Sequence, residues 1–477
     1  MTEVSAAIIG RDGLVLICRR SGGSCAGLWE FPGGKREGGE SAAECLAREC
    51  REELGVELAV GRMYARAEHL GESGPLALTF FRCALASGEP ECREHAEIRW
   101  VSPKDLLRFS FCPADAQIAE RLSREADFVS GGNTMQHRIE KPGPLLDESG
   151  RLAEPGYATE PLLAYRRGAV RAHPIRLKEW DYYLVLTDTH AVALTIADNG
   201  YMGLDSVSLL DFTVPFEKTA SRMRVFPMGR TGLPASSKAG DVAVRGKGYG
   251  LSFSKEGAER VLRFHMDAFH GGEAIDGEIR LADEPPDSMV IATPFPGRPK
   301  AFYYNRKINC LRAKGTVRLG QQVYRFDPSC AFGTLDWGRG VWTYRNTWYW
   351  GSCSALVDGV PFGFNLGYGF GDTSAASENM LFYDGKAHKL SRVRFDIPQS
   401  DGRDDLMRPW EISDDEGRLA LCFMPVIDRA AKMSVGLIAS DQHQVFGRFT
   451  GRAVLDDGRA LELETLMGFA EKVTNRW

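Results

Sequence analysis

Apolar and polar positions change rhythm twice along the chain. Between Val4 and Arg20 two apolar runs flank Arg11-Asp12-Gly13, and Asp-Gly between such runs predicts a hairpin. A loop carrying Gly22, Gly23, Gly27, Gly33 and Gly34 follows. Next comes one marked amphipathic helix, about Ala42 to Leu54, which Ser41 and Glu44 open as a capping box and Gly55 closes as a left-handed cap. Strands near Met63–His69 and Leu76–Ala84, a strand reaching Trp100 and a helix after Pro113 complete a mixed α/β domain over residues 1–130, a sheet between helices.

From Phe128 to Pro144 the composition turns to Ser, Gly, Asn and Pro. The boundary belongs near Gly132, residues 131–144 read as a linker, and Met135 opens a segment that reads like the start of an independent protein. From 145 to 477 short alternating or aromatic runs, such as Trp180–Thr187, Ala191–Ala197, Ala301–Tyr304, Trp342–Trp350 and Leu419–Phe423, are separated by Gly, Asp and Pro turns. This predicts a mainly-β domain, a barrel or sandwich pair of two barrel halves. Lys255–Phe264 is the best helix in it.

Composition narrows the function classes. Of the 477 residues 43% are hydrophobic and 26% charged, as expected of compact globules rather than disorder. Net charge is −5; the segment up to Ser130 holds 16 basic against 21 acidic residues and the remainder 43 against 43. No Lys/Arg tract offers a duplex the phosphate neutralisation it needs, so no polynucleotide partner is expected. The 11 cysteines form no Cys-x-x-Cys pair, which fits reduced thiols without a zinc site. With no basic leader and no run of about 18 apolar residues, no membrane span is expected and the chain reads as soluble and cytoplasmic.

The candidate chemistry lies on the first helix. At 100° per residue Ala43, Leu46, Ala47, Cys50 and Leu54 share one stripe, and Glu49, Glu52 and Glu53 an adjoining one. Three carboxylates at that spacing repel one another, so something cationic should compensate them; oxygen-only ligation suits Mg²⁺ or Mn²⁺. Arg48 is placed to orient a neighbouring carboxylate, with Glu40 a candidate. A solvated acidic face is the alternative, and the spaced glycines argue against it.

The run Gly34, five residues, Glu40, seven residues, then Arg48-Glu49-Cys50-Arg51-Glu52-Glu53-Leu54-Gly55-Val56 resembles the Nudix hydrolase signature at every fixed position, with Cys50 as a small hydrophobe. Leu28-Trp29-Glu30-Phe31-Pro32-Gly33-Gly34-Lys35, Arg19-Arg20, Glu94-His95 and Cys112-Pro113-Ala114-Asp115 are similar to the MutT branch. The resemblance implies hydrolysis of a nucleoside triphosphate to monophosphate and pyrophosphate with Mg²⁺ (or Mn²⁺). It implies metal ligation by Glu49, Glu52, Glu53, Glu94 and Gly33, and catalysis by Glu53 with Glu52, Glu94 and Arg48, Glu94 serving as ligand or general base. Arg20, Lys35, Glu40, Phe31 and Asp115 are the implied substrate-binding residues. Asp115, where MutT presents an Asn, looks like the branch acting on oxidised guanine or cytosine nucleotides, so 8-oxo-dGTP and (d)CTP analogues are the expected substrates. Trp29, Phe31 and Phe111 are candidates to stack on the base or to fill the core.

From about Met135 the chain resembles an uncharacterised bacterial domain family, through Leu177-Lys178-Glu179-Trp180-Asp181-Tyr182-Tyr183, Leu335–Trp342 and Phe364–Asp372. Phe446–Gly451 and Gly468–Glu471 look like lipocalin-like double barrels that include carotenoid hydratases. Four of nine tryptophans, Trp337, Trp342, Trp348 and Trp350, fall within 14 residues. They line an apolar cavity or form an aromatic core between sheets. Asp336, Arg339, Arg345, Asp372 and Glu378 place charge in the same stretch, as salt bridges or as a functional cluster. The second reading of the whole chain is a sensor of a nucleotide or nucleotide-linked metabolite whose β-rich domain binds or transforms an apolar small molecule.

Overall fold

The computed structural model describes residues 2–476 apart from 12–13, 24, 72–73, 125–135, 401 and 436–437, and the chain forms two compact units, 1–135 and 136–477. In the first, a seven-stranded mixed sheet has the path Trp29–Glu30, Leu14–Arg19, Thr2–Arg11, Gly74–Ser87, Glu57–Gly71. Strand Gly33–Lys35 adds to Thr2–Arg11, and Glu97–Val101 adds to Leu14–Arg19. The hairpin is present, Gly10 opposite Val15 and Arg11 opposite Leu14, while its Asp12-Gly13 turn lies outside the described residues.

Period-two alternation in the first strand decides how the layers form. Ala7 and Ile9 face Leu46, Cys50 and Leu54 of helix Ala42–Leu54. Ala6 and Ile8 join the cluster of Ile118, Ala119 and Leu122 from helix Pro113–Arg124. The sheet is thus packed between two helices. The helix stripe differs by one position from its sequence reading: Ala43 is exposed and Cys45 buried, because Cys45 reaches under Gly34, its Sγ 3.6 Å from that carbonyl.

The second unit is mainly β and consists of two large antiparallel sheets, each strongly curled as a half-barrel. One holds thirteen strands, with Phe216–Val225, Met202–Asp211, His190–Asp198, Leu177–Leu186, Phe332–Val341 and Arg298–Leu319 adjacent in that order. The other holds nine, with Arg345–Val357, Ala460–Arg476, Ile438–Val454 and Leu419–Val435 adjacent. Among the described residues no helix is long and apolar enough to cross a membrane.

Two sequence expectations are corrected here. Lys255–Phe264 is not a helix but parts of strands Tyr249–Glu256 and Glu259–His270, paired antiparallel with Glu256 opposite Glu259. Gly257 takes the left-handed conformation (φ 64°) that the tight turn requires, and the second strand continues the ladder to Glu273–Ala282. The linker reading fails over 136–144. Gln136 donates to the Leu390 carbonyl (2.8 Å) and accepts from the Ser377 amide (2.7 Å), and Ile139 is buried. Gly143–Pro144 pairs with Leu163–Ala164. The expected boundary at Gly132 and the Met135 start lie outside the described residues.

Candidate active site

Helix Ala42–Leu54 is fixed at both ends before any side chain acts. The Ser41 hydroxyl accepts from the Glu44 amide, the Glu44 carboxylate accepts from the Ser41 amide (2.7 Å), and Gly55 closes the helix at φ 70°. With Leu46, Cys50 and Leu54 turned to the sheet, Arg48, Glu49, Glu52 and Glu53 come off the flank beside Gly33–Lys35.

Arg48 organises this flank. Its Nε and Nη2 donate to both oxygens of Glu40 (3.3 and 3.0 Å), and its Nη1 donates to Glu49 Oε1 (3.0 Å) and Glu52 Oε2 (3.3 Å). The guanidinium holds the Glu40 carboxyl down to about 2. Glu40 is therefore Arg48's bidentate anchor, which accounts for their eight-residue separation in sequence. Glu49 packs on Gly34, where a Cβ would stand 2.1 Å from Oε1, so any larger residue there would push the Glu49 carboxylate aside.

Glu53 occupies the deeper end. Its Oε2 accepts from the Gly33 amide (3.3 Å), and burial, reinforced by the nearby Glu49 and Glu30 charges and opposed by His95, pushes its carboxyl up to about 7. His95 is nearly buried, its Nε2 3.3 Å from Glu30 Oε1, and its pKa is raised because the Glu30 hydrogen bond and the Glu53 and Glu30 charges outweigh desolvation. Glu30 is also paired with Arg20 Nη1 at 2.6 Å.

Several expected site residues stand elsewhere. Glu94 is exposed, its carbonyl accepting from the Ser21 hydroxyl, and the groups acting on Glu53 are His95, Glu49 and Glu30. The sequence marked His95 only as a flanking residue, two positions ahead of strand Glu97–Val101, whose docking brings it to Glu53 and Glu30. Arg20 is engaged with Glu30, while Lys35 is exposed and its carbonyl accepts from Arg48. Phe31 is core: its ring stacks on Phe111 (5.5 Å between centroids) and is 3% exposed. Its amide donates to Asp115 Oδ1 (3.0 Å), and burial pushes that carboxyl up to about 7. Trp29 is likewise buried, edge-on to Phe109.

Among the described residues no three acidic, His or Cys side chains converge tightly enough to hold an ion, so the expected set of Glu49, Glu52, Glu53, Glu94 and Gly33 is not assembled as a cage. Its chemistry nonetheless fits a hard divalent cation. The donors are all oxygen, Glu49 and Glu53 line one side of the Gly33–Gly34 segment, and burial first, with neighbouring carboxylates adding to it, raises the Glu53 and Glu49 carboxyls, a cost to the ionised forms that a bound cation would offset.

A mixed sheet between two helices, with a glycine strand facing an arginine-ordered glutamate face, defines a Nudix hydrolase domain, and residues 1–122 match the NUDIX domain profile. The chain as a whole belongs to the family described as Domain of unknown function (DUF2804), whose profile matches residues 136–477, with the Nudix hydrolase domain in front of it. Its relatives include the CTP pyrophosphohydrolase of Escherichia coli K12, 40% identical over 133 residues, 27% of this chain and 98% of that protein. The 8-oxo-dGTP diphosphatase of Haemophilus influenzae is 33% identical over 125 residues, 26% of this chain and 92% of that protein. A solved Nitrosomonas europaea protein provisionally described as an AttH matches at 14% identity and TM-score 0.41, covering 64% of this chain and 94% of its own.

Proposed function

We propose that the Nudix hydrolase domain converts a nucleoside triphosphate to monophosphate and pyrophosphate with Mg²⁺ or Mn²⁺, acting on oxidised or modified (deoxy)nucleotides such as 8-oxo-dGTP or (d)CTP analogues. The observation carrying this reading is the Arg48 hub, which orders Glu40, Glu49 and Glu52 beside the buried Glu53. The named activities of the two relatives above, both nucleoside triphosphate hydrolases, support the substrate class.

Glu49, Glu52 and Glu53 would hold the cation, with Glu94 a further ligand or the base from its exposed loop. When bound, the cation neutralises phosphate charge and acidifies an attacking water. Arg48 positions two of the carboxylates that face it. Lys35 reaches the phosphates from its exposed strand, and Arg20 does so only by exchanging its Glu30 pair. Asp115 reads the base: buried near its titration midpoint, it offers a donor as well as an acceptor.

The test is incubation of the full chain with a panel of ordinary and oxidised triphosphates and Mg²⁺ or Mn²⁺, with products identified by ³¹P NMR. Pyrophosphate from one modified triphosphate, lost in Glu53→Gln, is expected. Absence of turnover on every triphosphate would overturn the reading in favour of a nucleotide sensor.

A further inference from the structure

Between its two curled sheets the second unit encloses a cavity of about 300 Å³. Strand register builds it. On the thirteen-stranded sheet Ser221, Ser206, Thr195, Tyr182, Asp336 and Lys307 stand opposite one another in turn across six strands. On the nine-stranded sheet Trp350, Glu471, Gln444 and Arg429 form a second transverse row. The rows meet where Lys307 Nζ, 3.3 Å from Asp336 Oδ2, lies 3.5 Å from the centroid of the Trp350 ring.

One end of the cavity is an aromatic box. Trp180 is stacked with Tyr303 at an interplanar angle of 13°, and Trp342 meets Trp180, Trp348 and Phe370 edge-on at 4.8–5.7 Å. Gly338 makes room for it, since a Cβ there would lie 1.9 Å from Trp180 Cζ2. The other end is charged. Lys307 and Asp336 act electrostatically on both Glu378 and Glu471, and Arg429 acts on Glu471. Glu471 accepts from Trp348 Nε1 (3.0 Å) and Gln444 Nε2 (3.1 Å). Glu378 Oε2, Arg429 Nη1 and Trp342 Nε1 are buried with no hydrogen-bond partner in the protein, and all three residues line this cavity.

Buried polar atoms are nearly always paired, and three unpaired ones on residues lining a single aromatic cavity are what a ligand site presents. We propose that this cavity binds an uncharged ring compound, aromatic or alicyclic, of about 10–20 non-hydrogen atoms with one hydroxyl or keto oxygen. The ring lies in the aromatic box and the oxygen meets the Glu378 end. The flat indole and phenol faces select the ring. The charged end selects an uncharged head, because Lys307 and Arg429 are interleaved with Asp336, Glu378 and Glu471; neither an anion nor a cation meets a field of one sign, whereas a hydroxyl donates to a carboxylate or accepts from a cation, and a keto oxygen accepts from the Lys307 or Arg429 N–H groups. Strands Phe216–Val225 and Leu419–Val435 approach one another, and Ser221 on the first and Ala431 on the second both line the cavity and are exposed to solvent, which makes them its two lips.

The test is calorimetric titration of the full chain with four probes sharing one ring: 2-naphthol, naphthalene, 2-naphthoate and protonated 2-(aminomethyl)naphthalene. One 2-naphthol per chain is expected, bound at least tenfold tighter than either charged probe. Ala431→Trp, an exposed lip position, should weaken it at least tenfold; Ser221→Trp closes the other lip should the first variant not fold. Glu378→Leu should bring 2-naphthol down to the affinity of naphthalene. The proposal is overturned by no binding of any probe, by preference for a charged probe, or by affinity unchanged in the lip variants. A lead of 2-naphthol over naphthalene that persists in Glu378→Leu also overturns it.

Discussion

The two charged clusters of this protein are assembled by opposite routes. In the first unit Arg48, Glu49, Glu52 and Glu53 come from six consecutive residues of one helix, and a single guanidinium orders three carboxylates around it. In the second, Lys307, Asp336, Glu378, Arg429 and Glu471 come from five separate segments between residues 307 and 471, and meet because strand pairing sets them in rows on two sheets that curl toward each other. A helix sets side-chain neighbours by its own period, whereas a sheet sets them by pairing with distant strands. Local clusters are thus rigid in sequence and adjustable in geometry; the sheet cluster is the reverse, since moving one member shifts a whole register row.

That contrast predicts a graded set of effects. The largest belongs to Glu53→Gln, which removes a carboxylate from the deep end of the helix face; kcat/KM for pyrophosphate release should fall about 10²–10³-fold, measured at saturating Mg²⁺. Next is Arg48→Ala, which releases Glu40, Glu49 and Glu52 together and should lower kcat about 10–100-fold with a small change in KM. Arg48→Lys should recover only part of this, because an ammonium cannot bind Glu40 bidentately while reaching the other two. A full recovery with lysine would show that charge alone, not fork geometry, orders the helix face.

In the second unit Gly338→Ala pushes a Cβ into the Trp180 indole. It should cost about 1–3 kcal/mol of stability in denaturant unfolding, with Nudix turnover unchanged. The smallest effect is pH-dependent. Burial raises Asp115 to about 7 in the folded state, above its unfolded value, so the stabilisation is present below pH 4 and is lost as pH rises toward 7. The wild type should lose more stability than Asp115→Asn over that range, read from the thermal transition of the first unit. The same variant should change kcat/KM ratios across nucleobases; parallel pH curves and unchanged ratios would remove Asp115 from base recognition.

Legibility followed the same division. The hairpin, helix Ala42–Leu54 with both caps and the Arg48–Glu40 pairing were readable because each depends on residues close in sequence or on a loop of fixed spacing. His95 was missed because its approach to Glu53 depends on where the strand beginning at Glu97 docks, and nothing in its immediate sequence marks that. Phe31 stayed open between base and core for a related reason: an aromatic beside a glycine loop looks the same whether it faces a ligand or, as here, Phe111. Lys255–Phe264 read as a helix because its charged and apolar residues fit either period, and only the pairing of Glu256 with Glu259 across Gly257 and of the next strand with Glu273–Ala282 resolves it.

What the sequence determined alone was the division into an α/β unit and a mainly-β unit, and the capped, carboxylate-bearing helix of the first. Local hydrogen bonds and side-chain periodicity suffice for those. Only the tertiary structure decided that Asp336 and Trp337 point to opposite faces, one to a cavity and the other to the core. It also decided that Arg339 leaves the predicted charge cluster for Asp181, at 2.9 Å. The physical reason is that a strand's alternation fixes which residues share a face, while the long-range pairing and curl of its sheet choose which face encloses the cavity.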